Sequence, residues 1–457
     1  MRYTADMSEA GNGVPQGGIE RSAPSGVAAP RPLGFWSATA LVVGNMIGSG
    51  VFLLPSSLAP FGGASLLGWA FATAGTLLLA LVFADLGRRY PLSGGPYTFA
   101  RLAFGDFAGF VMAWSYWISV WCAVAAIAVA FAGSMSALVP GIVSTPARSA
   151  GCALGVLWLC TACNLAGVRS AGIAQLVTTL LKLVPLGVLV AAGMGKIESA
   201  RLWAFDSDAQ GLLGATTSSA ALAMWALLGF ECATIPAEHV EDAERTIPRA
   251  TLVGVAIAAA FTVAACTVVL GVLPADVLAA SPAPFADAAR ALWGSGAAAA
   301  MAAAMAVSCL GALNGWILIQ GQIPFAAARD GLFPAPFAEV DARATPRIGI
   351  VIGSVLASLL VVANFNDTLV AVFTASILLA TAAALLPYLF SAAAMLRLEP
   401  AKAGPAWRKP VAAIALVYSA WALVGTGAEA LLWGAGLLVV GLPVYAWMRW
   451  TRRAART

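Results

Sequence analysis

Charge is scarce in this sequence: Asp, Glu, Lys and Arg make up only 10% of 457 residues, against 61% that are hydrophobic. A soluble chain of that length needs a polar coat it does not have, so the composition excludes a soluble globular protein and points to the bilayer. The net charge of +4 is spread over connecting segments and forms no patch, which excludes a nucleic-acid partner. Cysteines 122, 152, 160, 163, 232, 266 and 309 all fall in apolar segments. Cys160 and Cys163 share a helix face without partners, so the seven read as small buried hydrophobes and neither a metal site nor a disulfide framework is expected. Histidine occurs once, at His239 in the charged run "AEHVEDAER", and reads as a solvated loop residue.

What is abundant is apolar sequence in long continuous runs. A hydrocarbon core of about 30 Å needs about 20 such residues per helix. Runs of that order lie near 36–60, 64–87, 104–138, 149–166, 172–195, 213–236, 250–275, 295–323, 347–363, 367–396, 410–426 and 430–449, about twelve spans in all. Their continuity, without period-two alternation, predicts an all-α membrane protein and excludes a β-barrel. Residues 1–32, rich in Gly, Pro, Ser and Ala, read as a disordered cytoplasmic tail with no cleavage site, followed by a transporter domain over 33–450 and a short tail over 451–457. With both termini inside, twenty lysines and arginines fall on the cytoplasmic side and only Arg148, Lys196, Arg201 and Arg290 on the other. That asymmetry predicts a cell inner membrane protein with both ends cytoplasmic.

Two spans are interrupted. "GNMIGSGVF" (44–52) places Gly48, Ser49 and Gly50 at membrane depth, and "MWALLGFECA" places Gly229 beside the ionisable Glu231. Unwound backbone in a bilayer is tolerated only where it lines a protected cavity. Breaks in the first and sixth of twelve spans point to a transporter of two inverted five-helix repeats, with the binding site between the broken helices. An intramembrane carboxylate is costly, so Glu231 is a candidate proton acceptor. No nucleophile–base pair, phosphate loop or charged ring accompanies these features, which argues against an enzyme or a channel; Ser49 has no base within sequence reach.

"GNMIGSGVFLLP", "SGGPYTFARLAFG", "MWALLGFECATIPAEHVEDAERTIPRA" and "GLFP", in that order, resemble the amino acid–polyamine–organocation transporter superfamily. "SPAPFADAARALWG" and "GALNGWILIQGQ" resemble its arginine/agmatine antiporter subgroup more than the superfamily at large. The resemblance runs from about Leu33 to Trp450. It implies a leucine-transporter-like fold, no cofactor, and amino acid or amine substrates within a lipid bilayer; it also allows a homodimer. Asn45, Ile47, Gly48, Ser49 and Gly50 then match the segment holding the substrate's α-carboxylate and α-amino group. Trp225, Leu228 and Gly229 match the sixth-helix substrate segment, and Trp316 an aromatic that packs over the substrate side chain. Tyr116, Glu231 and Tyr388 match a gate and proton-sensing layer.

Two departures qualify the match. Val124 and Ala380 stand where the subgroup places an asparagine and a serine, so the side-chain end of the pocket is expected to be drier. Lys182, in "QLVTTLLKLVPLG", resembles a lysine that neutral amino-acid permeases of the superfamily place where related carriers bind sodium; by that analogy it would carry the coupling charge. The expected function is therefore amino acid–amine exchange by alternating access. The alternative is a proton-coupled or exchanging permease for neutral L-amino acids, and a non-transporting receptor stands behind both.

Overall fold

The computed structural model describes residues 33–47, 51–92, 94–166, 183–203, 211–234, 240–343, 345–364, 366–398 and 405–454. Almost all of these residues are helical, and among them the one pairing of extended backbone is a parallel bridge between Leu33 and Val240. Helices of twelve residues or more are labelled in chain order: α1 (Phe35–Met46), α2 (Ala64–Arg89), α3 (Asp106–Leu138), α4 (Pro146–Leu165), α5 (Leu183–Lys196) and α6 (Gly211–Trp225). They continue with α7 (Ala243–Val272), α8 (Ser295–Arg329), α9 (Arg347–Ala363), α10 (Leu369–Arg397), α11 (Arg408–Gly425) and α12 (Ala428–Ala454). Among the described residues, seven are long and apolar enough to cross a membrane: α2, α3, α6 with the turn after it, α7, α8, α10 and α12. The reading of 172–195 as a span is described only from Leu183 onward, and α12 runs to Ala454, into the segment read as a tail.

Helix ends follow local chemistry. α2 closes on Arg88 and Arg89, cations that complement the negative C-terminal end of the helix dipole, just before Tyr90–Pro91. Thr145 caps α4 by accepting from the Arg148 N–H, and Thr368 caps α10 by accepting from the Ala371 N–H. Among the short helices outside the spans read from hydropathy are Pro96–Phe104 and Pro284–Trp293. Each opens on a proline, closes on a glycine in left-handed backbone (Gly105, φ 90°; Gly294, φ 87°), and leads directly into a long helix, α3 or α8. Proline at the first helical position and glycine just past the end are the sequence signals that mark them.

α3 is the centre of the molecule. It packs against α10 and α8 most extensively, and also against α4, α9 and α12. α2 joins a second group by packing on α6, α7 and α11, while α1 lies along α7. Polar side chains tie the helices where no hydrophobic driving force distinguishes protein from lipid. Ser115 donates to the Ala383 carbonyl, Trp117 Nε1 to the Gln320 carbonyl, and Trp114 Nε1 to the Leu437 carbonyl. At one end of α2, buried Asp85 accepts from Arg89 Nε at 2.9 Å and from Arg408 Nε of α11 at 2.8 Å.

Candidate functional site

α1 stops at Met46: the Ile47 N–H still reaches the Val43 carbonyl at 2.8 Å, and regular helix resumes only at Leu54. Gly48, Ser49 and Gly50 lie between these points, outside the described residues. α6 stops at Trp225 in a different way. The N–H groups of Ala226, Leu227 and Leu228 bond three residues back, to Ala223, Met224 and Trp225, which tightens the last turn. Gly229 then takes φ 105°, and Phe230–Ala233 forms a separate short turn of helix. A side chain at 229 would be strained there, and its Cβ would lie 3.2 Å from the carbonyl carbon of Asn45. The two interruptions therefore touch.

Glu231 sits just beyond this contact, only 1% exposed. Tyr116 of α3 donates to its Oε1 at 2.6 Å, and the Gly229 N–H donates to its Oε2 at 3.1 Å. Both carboxyl oxygens are thus engaged, as buried polar atoms require. Tyr388 of α10 faces the same carboxylate, but its hydroxyl makes no hydrogen bond of good geometry. The Tyr388 ring is held by Phe230 and Phe83, with centroids 5.0 and 5.4 Å away.

Between the broken helices and α3 lies a cavity with about 20 Å³ open to the centre of a water molecule, room for about one. Asn45, Trp225, Leu228, Trp316, Tyr116 and Glu231 all line it. Six separately singled-out residues from α1, α3, the α6 region and α8 thus converge on one small space. Ile47 does not: it is fully buried in the core beside Met46 and forms no part of the wall. Lys182 and His239 lie outside the described residues. The Trp225 Nε1 donor is buried without a hydrogen-bond partner among the described residues, and the Asn45 side chain faces the weakly accepting Cys232 sulfur. Since buried donors are normally satisfied, the Trp225 indole N–H at the cavity wall is available to a ligand's acceptor, and Asn45 has only a weak sulfur partner to give up.

The sequence reading missed part of the wall. Ser119, Ala123 and Ile127 continue from Tyr116 at helical spacing and form one stripe of α3, joined by Met46, Ala226 and Ala384. Val124, the position singled out on α3, is fully buried and does not line the cavity, because one residue turns a helix face by about 100°. On α10 the wall residue is Ala384, one turn beyond the buried Ala380. The repeat Tyr116–Ser119–Ala123–Ile127 was the available signal, but every face of α3 is apolar enough to compete with it.

Comparison with known proteins gives the family. The sequence profile of the amino acid permease family matches residues 33–448. The chain belongs to that family. It is a multi-pass membrane protein, and its family is one of permeases and not of enzymes. Among its relatives is a Bacillus subtilis (strain 168) protein named as an arginine/ornithine antiporter, 33% identical over 453 residues, covering 90% of this chain and 96% of that protein. The cadaverine/lysine antiporter of Escherichia coli (strain K12) is 31% identical over 326 residues, 71% of this chain and 73% of that protein. The putrescine transporter PotE of the same organism is 30% identical over 420 residues, 90% of this chain and 95% of that protein.

Proposed function

We propose that this permease exchanges an amino acid for an amine across the cell inner membrane by alternating access. The observation that carries the reading is the cavity at the contact of two interrupted helices: the carboxyl group of Glu231, the indoles of Trp225 and Trp316, and the Asn45 amide share its wall. Asn45 Nδ2 and the backbone of the first break would take the substrate carboxylate. Trp225 and Trp316 would cover an ammonium group, an attraction of about 1–2 kcal/mol when desolvated. Glu231, held by Tyr116 and faced by Tyr388, would sense or exchange the coupling proton. Lys182 is proposed as a second coupling charge. The names of the relatives, antiporters of amino acids and diamines, support exchange over one-way uptake.

The proposal includes the finer architecture: twelve spans, two inverted repeats of five, and cytoplasmic termini. Two features five helices apart support the repeat. α1 and α6 are both interrupted, and α3 and α8 are both entered through a short proline-to-glycine helix. A homodimer is the proposed assembly, to be checked by mass in detergent.

Counterflow in proteoliposomes tests the function. Uptake of a labelled amino acid should require an unlabelled amine or amino acid inside, and Trp316→Ala should weaken apparent affinity by about tenfold, the equivalent of one lost cation–π contact. Binding of amino acids by folded protein without any counterflow would replace the carrier reading with a receptor.

A further inference from the structure

We infer that the cations gathered around Asp85 form a binding site for the phosphate of an anionic phospholipid, whose acyl chains lie along the exposed face of α11.

Along the chain the basic residues are dispersed; the fold gathers them. Three guanidinium groups converge on the buried Asp85 carboxylate near the end of α2. Arg89 Nε lies 2.9 Å and Arg88 Nη2 4.0 Å from Oδ1, and Arg408 Nε of α11, 323 positions further on, lies 2.8 Å from Oδ2. Three positive charges against one negative leave an excess of two, and Lys409, exposed next to Arg408 in the chain, adds to it. Arg408 also donates to the Leu398 carbonyl, and its Nη2 is buried without a partner among the described residues.

Neighbouring acids do not cancel this excess. At the start of α7, whose Ile247 abuts Gly87, Asp242 pairs with Arg245, Glu241 lies beside Gly34, and Glu244 and Arg249 offset each other. The connection between Leu398 and Pro405, outside the described residues, carries Glu399 and Lys402, one charge of each sign. Helix electrostatics add to the demand for an anion. Arg408 and Lys409 open α11, and no acidic residue stands in that first turn. Two cations thus occupy the positive end of a helix dipole, where anions are favoured. A partly buried excess of one sign is costly without a counter-ion. Arg88, with 51% of its side chain exposed, is the guanidinium of the cluster placed to meet one from outside.

The source of that anion follows from the face α11 turns outward. Trp407, Ile414, Val417 and Val424 are all exposed, and their helical spacing puts them on one side. This apolar stripe ends in an indole next to Arg408 and Lys409, the arrangement found where hydrocarbon gives way to headgroups. A basic cluster at that boundary suits a lipid phosphate, and an anionic lipid above a zwitterionic one, because a choline ammonium would be repelled.

Native mass spectrometry of the purified full-length protein, titrated with phosphatidylglycerol or with phosphatidylcholine of the same chains, tests the inference. Phosphatidylglycerol should bind more tightly. Arg88→Gln and Lys409→Gln should each weaken that binding by about fivefold, the share of one cation near a charged lipid, and leave phosphatidylcholine binding unchanged. Both side chains are exposed, and their loss leaves the Arg89 and Arg408 bonds to Asp85 in place. Lys409→Gln decides the matter where Arg88→Gln does not fold. Arg245→Gln, at an exposed arginine of α7, should have no effect. Equal binding of the two lipids overturns the inference, as does a phosphatidylglycerol preference that survives both substitutions in folded protein. Inorganic phosphate that raises the melting temperature of the wild type and not of Arg88→Gln, with no preference between the lipids, would assign the site to a soluble anion and overturn the lipid.

Discussion

The Tyr116 hydroxyl of α3 meets Glu231 Oε1 at 2.6 Å, joining the central helix of the molecule to the segment just past the break in α6. The two residues are 115 positions apart in sequence. Tyr116→Phe would keep the ring and leave a buried carboxylate oxygen without its donor, at a cost of about 1–3 kcal/mol. A lower melting temperature in detergent and weaker counterflow are expected. Combined with Glu231→Gln, the loss should fall short of the sum of the single losses, because both variants break the same bond.

Gly229 and Gly105 both take left-handed backbone, at φ 105° and 90°, yet their surroundings differ. A Cβ at 229 would press on the Asn45 backbone at 3.2 Å, whereas one at 105 would meet nothing within 4 Å. Gly105→Ala should cost about 1–2 kcal/mol of backbone strain and leave transport intact. Gly229→Ala carries that strain and also pries the two interruptions apart, so counterflow should be lost even where the protein remains folded by size-exclusion chromatography.

Tyr418 of α11 fills the hollow left by Gly75 on α2, where an added Cβ would fall 1.9 Å from its ring. Its hydroxyl points to the Ala72 carbonyl and to Met224 Sδ, each at 3.4 Å, and Met224 is the neighbour of the cavity residue Trp225. Gly75→Ala should destabilise by about 1–3 kcal/mol through overpacking, and Tyr418→Ala by about 3–5 kcal/mol through the cavity it leaves. Measured by thermal unfolding, the double variant should lose less than the two singles together.

Asp85 and Arg408 form an ion pair whose side chains are 1% and 6% exposed. Asp85→Asn leaves two arginines facing a neutral group inside the protein, and a loss of about 3–5 kcal/mol is expected. Arg245 and Asp242, 78% and 55% exposed, give the contrast: their separation should cost under about 1 kcal/mol and respond to salt. Thermal melts of both variants at low and high ionic strength make the comparison.

Much of this architecture was legible in the amino-acid order. The runs at 64–87, 104–138 and 347–363 correspond to α2 (Ala64–Arg89), α3 (Asp106–Leu138) and α9 (Arg347–Ala363) to within a few residues, because the free energy of placing a helix in lipid accumulates along the chain and can be read from it. The interruption at Gly229 was legible for the same kind of reason: glycine beside an ionisable residue conflicts with a continuous span. The short helices Pro96–Phe104 and Pro284–Trp293 were legible as punctuation but too brief to register as apolar runs.

What the order of residues alone determined, then, is that this is a helical membrane protein with a costly carboxylate beside a break. Only the tertiary structure decided that Tyr116 holds that carboxylate, and that Ala123 rather than Val124 faces the cavity. The physical reason is that membrane insertion depends on how apolar a segment is, which is a local sum. Facing depends on which neighbours pack against a helix that is apolar on every side, and no local sum contains that.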